Sequence, residues 1–257
     1  MITCERMVRV ACLGIRKTFP RSGGPRLLKS FLTARGRMQH LARHEVLNNV
    51  SFSVDSGESV ALIGRNGAGK STLLSLIAGL TLPDAGTVWV HGRLAALLQL
   101  GAGFHPELTG RENLILNASL LGYTPADLDR EIENIIAFSE IGASIDEPLR
   151  VYSDGMILRL AFSVAAHCNP EIVLIDEVLA VGDHSFQQKC LQRIFSFRDR
   201  GATILVVSHA TELVRQLCGR AIWLECGRIV ADGPIDEVLA QYHAAHSKPV
   251  APSVLVE

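Results

Sequence analysis

Ser59-Val-Ala-Leu-Ile-Gly64-Arg-Asn-Gly-Ala-Gly-Lys70-Ser71-Thr72 is the stretch that decides the fold. An apolar run of strand length, Ser59 to Ile63, gives way to a glycine-rich loop, and the loop runs into a helix-forming segment, Lys70 to Ala78. Gly64 to Ser71 satisfies G-x-x-x-x-G-K-[ST] in the strand–loop–helix setting that gives this pattern its meaning. Glycines let backbone N–H groups converge on one point without Cβ clashes, and the following helix adds the positive end of its dipole. The stretch therefore predicts a cradle for phosphate oxygens. Gly64, Asn66, Gly67, Ala68, Gly69, Lys70, Ser71 and Thr72 are its candidate contacts, with Lys70 as a point charge for β- and γ-phosphates and Ser71 offering its hydroxyl to Mg²⁺.

Outward from this stretch, apolar runs alternate with helix-period segments, the pattern of a parallel sheet with crossover helices. Strands are predicted over Val8–Gly14, Val46–Val54, Ser59–Ile63, Thr87–Val90, Ile172–Ile175, Thr203–Val207, Ala221–Glu225 and Ile229–Asp232. Helices are predicted over Lys70–Ala78, Gly110–Leu121, Ala126–Ser139, Gly155–His167, Phe186–Asp199, Thr211–Leu217 and Ile235–His243. Between Gly110 and Pro148 the pattern is purely helical, so a helical subdomain, over about residues 104–168, interrupts the strand-rich remainder. The tail over 247–257, with Pro249 and Pro252, is expected to be loose.

Composition narrows the function classes. The 257 residues are 48% hydrophobic, enough for a real core, and a net charge of -1 gives no global attraction to nucleic acid or anionic lipid. Cys4, Cys12, Cys168, Cys190, Cys218 and Cys226 form no C-x-x-C pair and have no histidine at zinc-finger spacing, which suits free thiols in a reducing compartment. No stretch approaches about 18 consecutive apolar residues, and Met1-Ile-Thr-Cys-Glu-Arg lacks an apolar core and a cleavage site. Neither a membrane span nor a signal peptide is expected.

Ile172-Val-Leu-Ile-Asp176-Glu177 is an apolar strand ending in two acids. A strand buried on both faces delivers such acids to the carboxyl edge of a parallel sheet, where ligands of open α/β folds bind. Taken alone, such a pair is more often a cap or a solvated turn. After the phosphate cradle, it predicts Asp176 holding Mg²⁺ through water and Glu177 polarising an attacking water. Upstream, in Tyr152-Ser153-Asp154-Gly155-Met156, Ser153 and the N–H groups of the helix that follows make a second anion site as well as an N-cap.

In type and order these segments resemble the ATPase subunits of ABC transporters, over roughly Val8 to Tyr242. The resemblance implies an α/β fold, with a P-loop NTPase (RecA-like) core, an N-terminal antiparallel β subdomain and an inserted α-helical signature subdomain. It implies that Ser153 and Gly155 close over the γ-phosphate bound by the other subunit of a homodimer, with ATP and Mg²⁺ between the copies. In Ala180-Val-Gly-Asp183, Asp183 is similar to the family's dimer-contacting residue, and His209, after Ser208, to its switch histidine. Gln99 resembles the glutamine that senses Mg²⁺ and faces the membrane partner, although it stands one residue farther from Pro106 than in the commonest pattern. Phe19 has two readings, a ring stacked on adenine or a core phenylalanine. Asp154 departs from the usual Gly or Ser and brings a negative charge toward a phosphate.

Three segments are similar to the branch that exports O-antigen, capsular or teichoic-acid polymers: Leu94 to Asn113, the Tyr-Ser-x-Gly-Met form of the signature, and Val178-Leu-Ala-Val-Gly-Asp183. Between Phe19 and Val46 lies an insertion, about residues 20–45, carrying Arg21, Arg26, Lys29, Arg35, Arg37 and Arg43 against Glu45 alone, with Leu27, Leu28, Phe31 and Leu32 at helical spacing. It reads either as a basic amphipathic helix on an anionic leaflet or lipid pyrophosphate, or as a mobile surface loop. The chain stops at Glu257, leaving no room for a carbohydrate-binding domain, so polymer selection by this subunit is not expected. The implied protein is one ATP-binding domain over 1–246, a homodimer under two copies of an integral membrane exporter subunit, peripheral at the cytoplasmic face of the inner membrane and not a nucleic-acid binder. Rival readings are an ATP-dependent dimerising switch with weak hydrolysis, and a soluble ABC-type ATPase acting on ribosomes or DNA.

Overall fold

The computed structural model describes residues 7–20, 43–98, 100–176, 182–208 and 210–246. In chain order its elements are β1 (Val8–Pro20), β2 (Arg43–Asp55), β3 (Ser59–Ile63), α1 (Lys70–Ile77), β4 (Ala85–Val90), β5 (Leu94–Leu97), α2 (Gly110–Leu120), α3 (Pro125–Ser139), α4 (Asp154–His167), β6 (Ile172–Asp176), α5 (His184–Asp199), β7 (Thr203–Val207), α6 (Thr211–Leu217), β8 (Arg220–Glu225), β9 (Arg228–Pro234) and α7 (Ile235–His246). The basic insertion, apart from its ends at Pro20 and Arg43 to Glu45, and the tail after His246 lie outside the described residues.

The first layer is an antiparallel sheet in the order β2-β1-β4. β1 runs past its predicted end at Gly14 because that glycine, at φ 61°, serves a bulge and not a stop: the β1–β2 register shifts between Cys12 and Ile15. Pro20 and Arg43 are register partners, so the insertion leaves and rejoins this sheet at one end. The second layer has the order β5-β6-β7-β3-β8-β9, parallel except for β9, which returns antiparallel to β8 through Cys226-Gly227, both at positive φ. β5 was not predicted. Leu94-Ala-Ala-Leu97 is short and lacks β-branched residues, and it becomes a strand because it pairs with Ile172 to Ile175 of β6.

Alternate residues of the central strands feed two different cores, as a strand covered on both faces requires. Ala61, Ile63, Val173, Ile175, Ile204, Val206 and Trp223 face one way, against Phe162, Phe186, Ile194 and Phe197 of α4 and α5 and the inner faces of α6 and α7. Val60, Leu62, Ile172, Leu174, Leu205 and Leu224 face the other way, against Leu73, Leu74 and Ile77 of α1 and the antiparallel sheet's Val10, Ile15, Leu47 and Val54. Cys12, Cys190 and Cys218 sit in these cores, where burial pushes each thiol up to about 12, so they behave as small apolar side chains.

A third core belongs to the helical subdomain and joins Leu114 and Ala118 of α2, Ile135 and Ile136 of α3, and Leu160 and Val164 of α4. α4 therefore serves two cores at once, Leu160 and Val164 toward the subdomain and Phe162, Ala165 and Ala166 toward the sheet. Capping boxes start α2 (Thr109 with Glu112) and α3 (Thr124 with Asp127). Among the described residues no helix is long and apolar enough to cross a membrane.

Asn113, fully buried in α2, organises the loop before it. Its Oδ1 accepts from the His105 amide at 2.6 Å, and its Nδ2 donates to the carbonyls of His105, Leu108 and Thr109 at 3.0, 3.1 and 2.9 Å. The carbonyls of His105, Leu108 and Thr109 each also accept a backbone amide, so a near-isosteric apolar residue would take from the loop three carbonyl contacts and leave the His105 amide without its acceptor. Asn113→Leu is expected to cost about 1–3 kcal/mol in chemical denaturation; a change below about 0.5 kcal/mol would show that water satisfies the His105 amide in its place.

Candidate functional site

The loop between β3 and α1 is shaped by its neighbours as much as by any ligand. Gly64 has φ 148°, and a Cβ there would stand 2.0 Å from the Leu224 carbonyl oxygen of β8. At Gly69, φ 106°, a Cβ would meet Leu47 Cδ2 at 2.7 Å and the Val46 oxygen at 2.9 Å. Gly67, φ 80°, has nothing within 4 Å of its would-be Cβ. Two of the motif's glycines are thus required by close approach of β8 and β2, while Gly67 faces open space. Ala68 is buried, and its carbonyl accepts the Gly227 amide at 3.2 Å, which ties the β8–β9 turn to the loop.

α1 begins at Gly69 in the left-handed region with no side-chain cap, whereas α2, α3, α4 and α5 each have one. The positive end of α1 therefore opens into the cleft without a competing side-chain acceptor. Lys70, only 7% exposed, curls over the loop and donates to the carbonyls of Gly64 at 2.7 Å and Arg65 at 3.1 Å. These carbonyls help hold the ammonium at the cradle's rim, where a phosphate oxygen entering the cleft would offer it a charge-assisted bond.

A cleft of about 580 Å³ lies above this loop, lined by His44, Val46, Asn66, Gly67, Gly69, Lys70, Ser71, Thr72 and Asp176. Most of the predicted cradle residues thus meet in one cavity with the carboxylate at the end of β6. A hydroxyl, Ser71, and a carboxylate, Asp176, on a cleft that also holds a lysine and uncapped amides are oxygen donors suited to a Mg²⁺–triphosphate pair. Gly64 and Ala68 sit behind the cavity as packing. Phe19 is 41% exposed and does not line it; His44, its register partner across β1 and β2, does. His44 carries no signal in the sequence beyond its position just ahead of Val46, whereas an aromatic such as Phe19 advertises itself for a base.

Gln99, Glu177 and His209 lie outside the described residues. The strands that precede them in sequence are described, and register aligns those strands: Leu97 pairs with Ile175, Asp176 with Val207, and Ala61 with Val206. The carboxyl ends of β5, β6, β7 and β3 therefore form one edge, the edge from which the Gly64 loop departs.

Ser153, Gly155 and Asp183 do not line the cleft. Ser153 caps α4, its Oγ accepting from the Met156 amide at 3.2 Å, and Asp154 is exposed as the first helical residue. Tyr152 is buried just before the cap; its hydroxyl donates to the Ser144 carbonyl, and it fills the space a Cβ on Gly110 would need. This fixes the start of α4 on the helical subdomain. Asp183 caps α5: Oδ1 accepts from the Phe186 amide at 3.0 Å and the Ser185 hydroxyl at 2.8 Å, and Oδ2 meets Arg159 at 2.7 Å. These partners, the Phe186 amide first, hold its carboxyl below the usual aspartate range.

Comparison with known proteins agrees with this geometry. The sequence model of the ABC transporter family matches residues 47–180. The O-antigen export system ATP-binding protein RfbB of Klebsiella pneumoniae is 51% identical over 217 residues, covering 84% of this chain and 86% of that protein. The teichoic acids export ATP-binding protein TagH of Bacillus anthracis is 43% identical over 199 residues, 77% of this chain and 36% of that protein. Among solved structures, the ATP-binding subunit of an ABC transporter superposes with a TM-score of 0.72 at 26% identity, over 93% of this chain and 95% of that one. With a phosphate-shaped cleft at the edge of a RecA-like sheet and relatives of this kind, the chain belongs to the ABC transporter family and is an ATP-binding, ATP-hydrolysing subunit of it.

Proposed function

We propose that this subunit hydrolyses ATP to drive export of a lipid-linked polysaccharide, as a homodimer beneath two copies of a separate membrane exporter subunit at the cytoplasmic face. The observation that carries the substrate class is the 51% identity, over most of both chains, to a protein named for O-antigen export. The segment from Leu94 to Asn113, similar in sequence to that of the polysaccharide-export branch, supports the same reading from within the chain. The domain over 1–246 acts as one ATP-binding unit, and the basic insertion between Pro20 and Arg43 takes the anionic leaflet or the pyrophosphate of the lipid carrier.

In this reading Lys70 and the amides at the start of α1 hold the β- and γ-phosphates, which brings the scissile bond to a fixed place above β3. Ser71 and Asp176, with Gln99, hold Mg²⁺, which when bound neutralises charge developing on the phosphoryl oxygens. Glu177 orients the attacking water and accepts its proton, and His209 meets the γ-phosphate from the end of β7. His44, and not Phe19, faces the base side of the cleft. Ser153 and Gly155 of a second copy complete the pocket, with Asp183 at the contact between copies, which accounts for their absence from their own chain's cleft.

Two substitutions separate binding from chemistry. Glu177→Gln is expected to lower steady-state ATP turnover about 10²-fold or more while leaving Mg-ATP affinity unchanged, and retained hydrolysis would refute the role given to Glu177. Lys70→Ala is expected to weaken Mg-ATP binding itself, by about tenfold or more in equilibrium titration.

Asp154 stands exposed beside the Ser153 cap, where its charge opposes an approaching phosphate. Asp154→Ser should therefore raise the ATPase rate, and an unchanged or lower rate would show that the carboxylate points away in the closed dimer. Export itself is tested by co-purifying the chain with its multispanning partner and adding a glycan linked to a lipid pyrophosphate: turnover should rise. If ribosomes or DNA stimulated it instead, the export reading would fail.

A further inference from the structure

α4 carries Ser153 at its start, and about 9 Å further along the same helix it carries Arg159. The Arg159 side chain is 16% exposed and divides its guanidinium between two carboxylates, Nη1 to Glu140 at 2.8 Å and Nη2 to Asp183 at 2.7 Å. It lies over the Phe186 ring, 4.8 Å from the centroid, and a Cβ on Gly182 would come within 3.2 Å of its Nε. Glu140 stands at the end of α3 in the left-handed region, at φ 58°, and is braced in turn by Lys189 of α5 at 3.1 Å. Beneath these charges Phe138, Phe162 and Phe186 pack ring to ring at 5.8–6.3 Å, one from each of α3, α4 and α5.

We infer that Arg159 is a positioning residue for hydrolysis: one guanidinium ties the ends of α3 and α5 to α4, so that the start of α4 at Ser153 and the start of α5 at Asp183 keep a fixed relation within each copy. The inference rests on the roles proposed above for Ser153, Glu177 and Asp183. Hydrolysis needs the γ-phosphate pocket of one copy and the signature helix of the other to register within fractions of an ångström. The fork geometry of arginine suits this task because its two Nη atoms serve two acceptors at once, which a single ammonium does not. Without Arg159 neither carboxylate is stranded. Glu140 keeps Lys189, and Asp183 keeps the Phe186 amide and Ser185, so the fold survives and the relation between the two segments is what loosens.

The test compares Arg159→Gln, Arg159→Lys and Asp183→Asn in the full chain. Asp183→Asn retains an oxygen to cap α5 while presenting an amide N–H₂ to the guanidinium. Arg159→Gln and Asp183→Asn are each expected to lower kcat about tenfold, with KM for ATP within about twofold, and the double variant to be no worse than either single one. Arg159→Lys is expected to recover part of the rate. In nucleotide-free protein, amide exchange over residues 182–187 should quicken in Arg159→Gln and stay unchanged over α1. Unchanged kcat and exchange, losses that multiply in the double variant, or a loss confined to KM would each overturn the inference. A wild-type protein without hydrolysis would count against the enzymatic roles alone, since the exchange comparison still decides whether Arg159 holds the two segments.

Discussion

The backbone of residues 64–69 is pressed between β8 and β2 so closely that two of its positions have no room for a Cβ, and the rest of the site follows from that constraint. Because Gly64 lies on the Leu224 carbonyl and Gly69 on Val46 and Leu47, the loop cannot relax outward, and its curvature is set before any ligand arrives. Lys70 closes the curve from the other side by bonding the carbonyls of Gly64 and Arg65. The outcome is a concavity whose backbone shape is already set beside the uncapped start of α1, an arrangement that costs little reorganisation when phosphate binds. The antiparallel layer is more than decoration in this scheme, since β2 supplies both the wall against Gly69 and, through His44 and Val46, one side of the cleft.

A second feature links the cleft to the helical subdomain. α4 packs into both cores, its start is held by Tyr152 on the subdomain, and its middle is held to α5 by Arg159. A helix shared in this way transmits displacement of one unit to the other, because close-packed side chains on both faces leave it little freedom to yield locally. In the proposed division of labour, with binding on the sheet edge and closure by the start of α4, the two parts have a physical connection made of three phenylalanines and four charged side chains.

Much of this was legible in the sequence because the central strands are apolar on both faces and the loops between them carry unmistakable chemistry. β3, β7 and α6 fall where the apolar pattern places them, and the cradle residues gather as their spacing requires. The failures have specific causes. Gly14 looks like a terminator until a neighbouring strand shows that it sits in a bulge, and Leu94-Ala-Ala-Leu97 has no intrinsic strand preference until β6 pairs with it. Of the two readings of Phe19, the core one does not hold, since the ring is exposed, and its register partner His44, with no comparable signal in the sequence, is the residue on the cleft lining. Arg159 carried no signal at all: its two acceptors are 19 residues before it and 24 after it, a relation that only the packing of three helices creates.

If Lys70 and the loop behind it form a triphosphate cradle closed by a second copy, a crystal structure with Mg²⁺ and a non-hydrolysable ATP analogue will show it. The Lys70 ammonium should leave the Gly64 and Arg65 carbonyls for β- and γ-phosphate oxygens, the phosphates should rest on the first amides of α1, and a neighbouring copy's Ser153 should reach the γ-phosphate. A nucleotide bound elsewhere, or Lys70 still on its carbonyls beside an empty loop, would contradict that cradle.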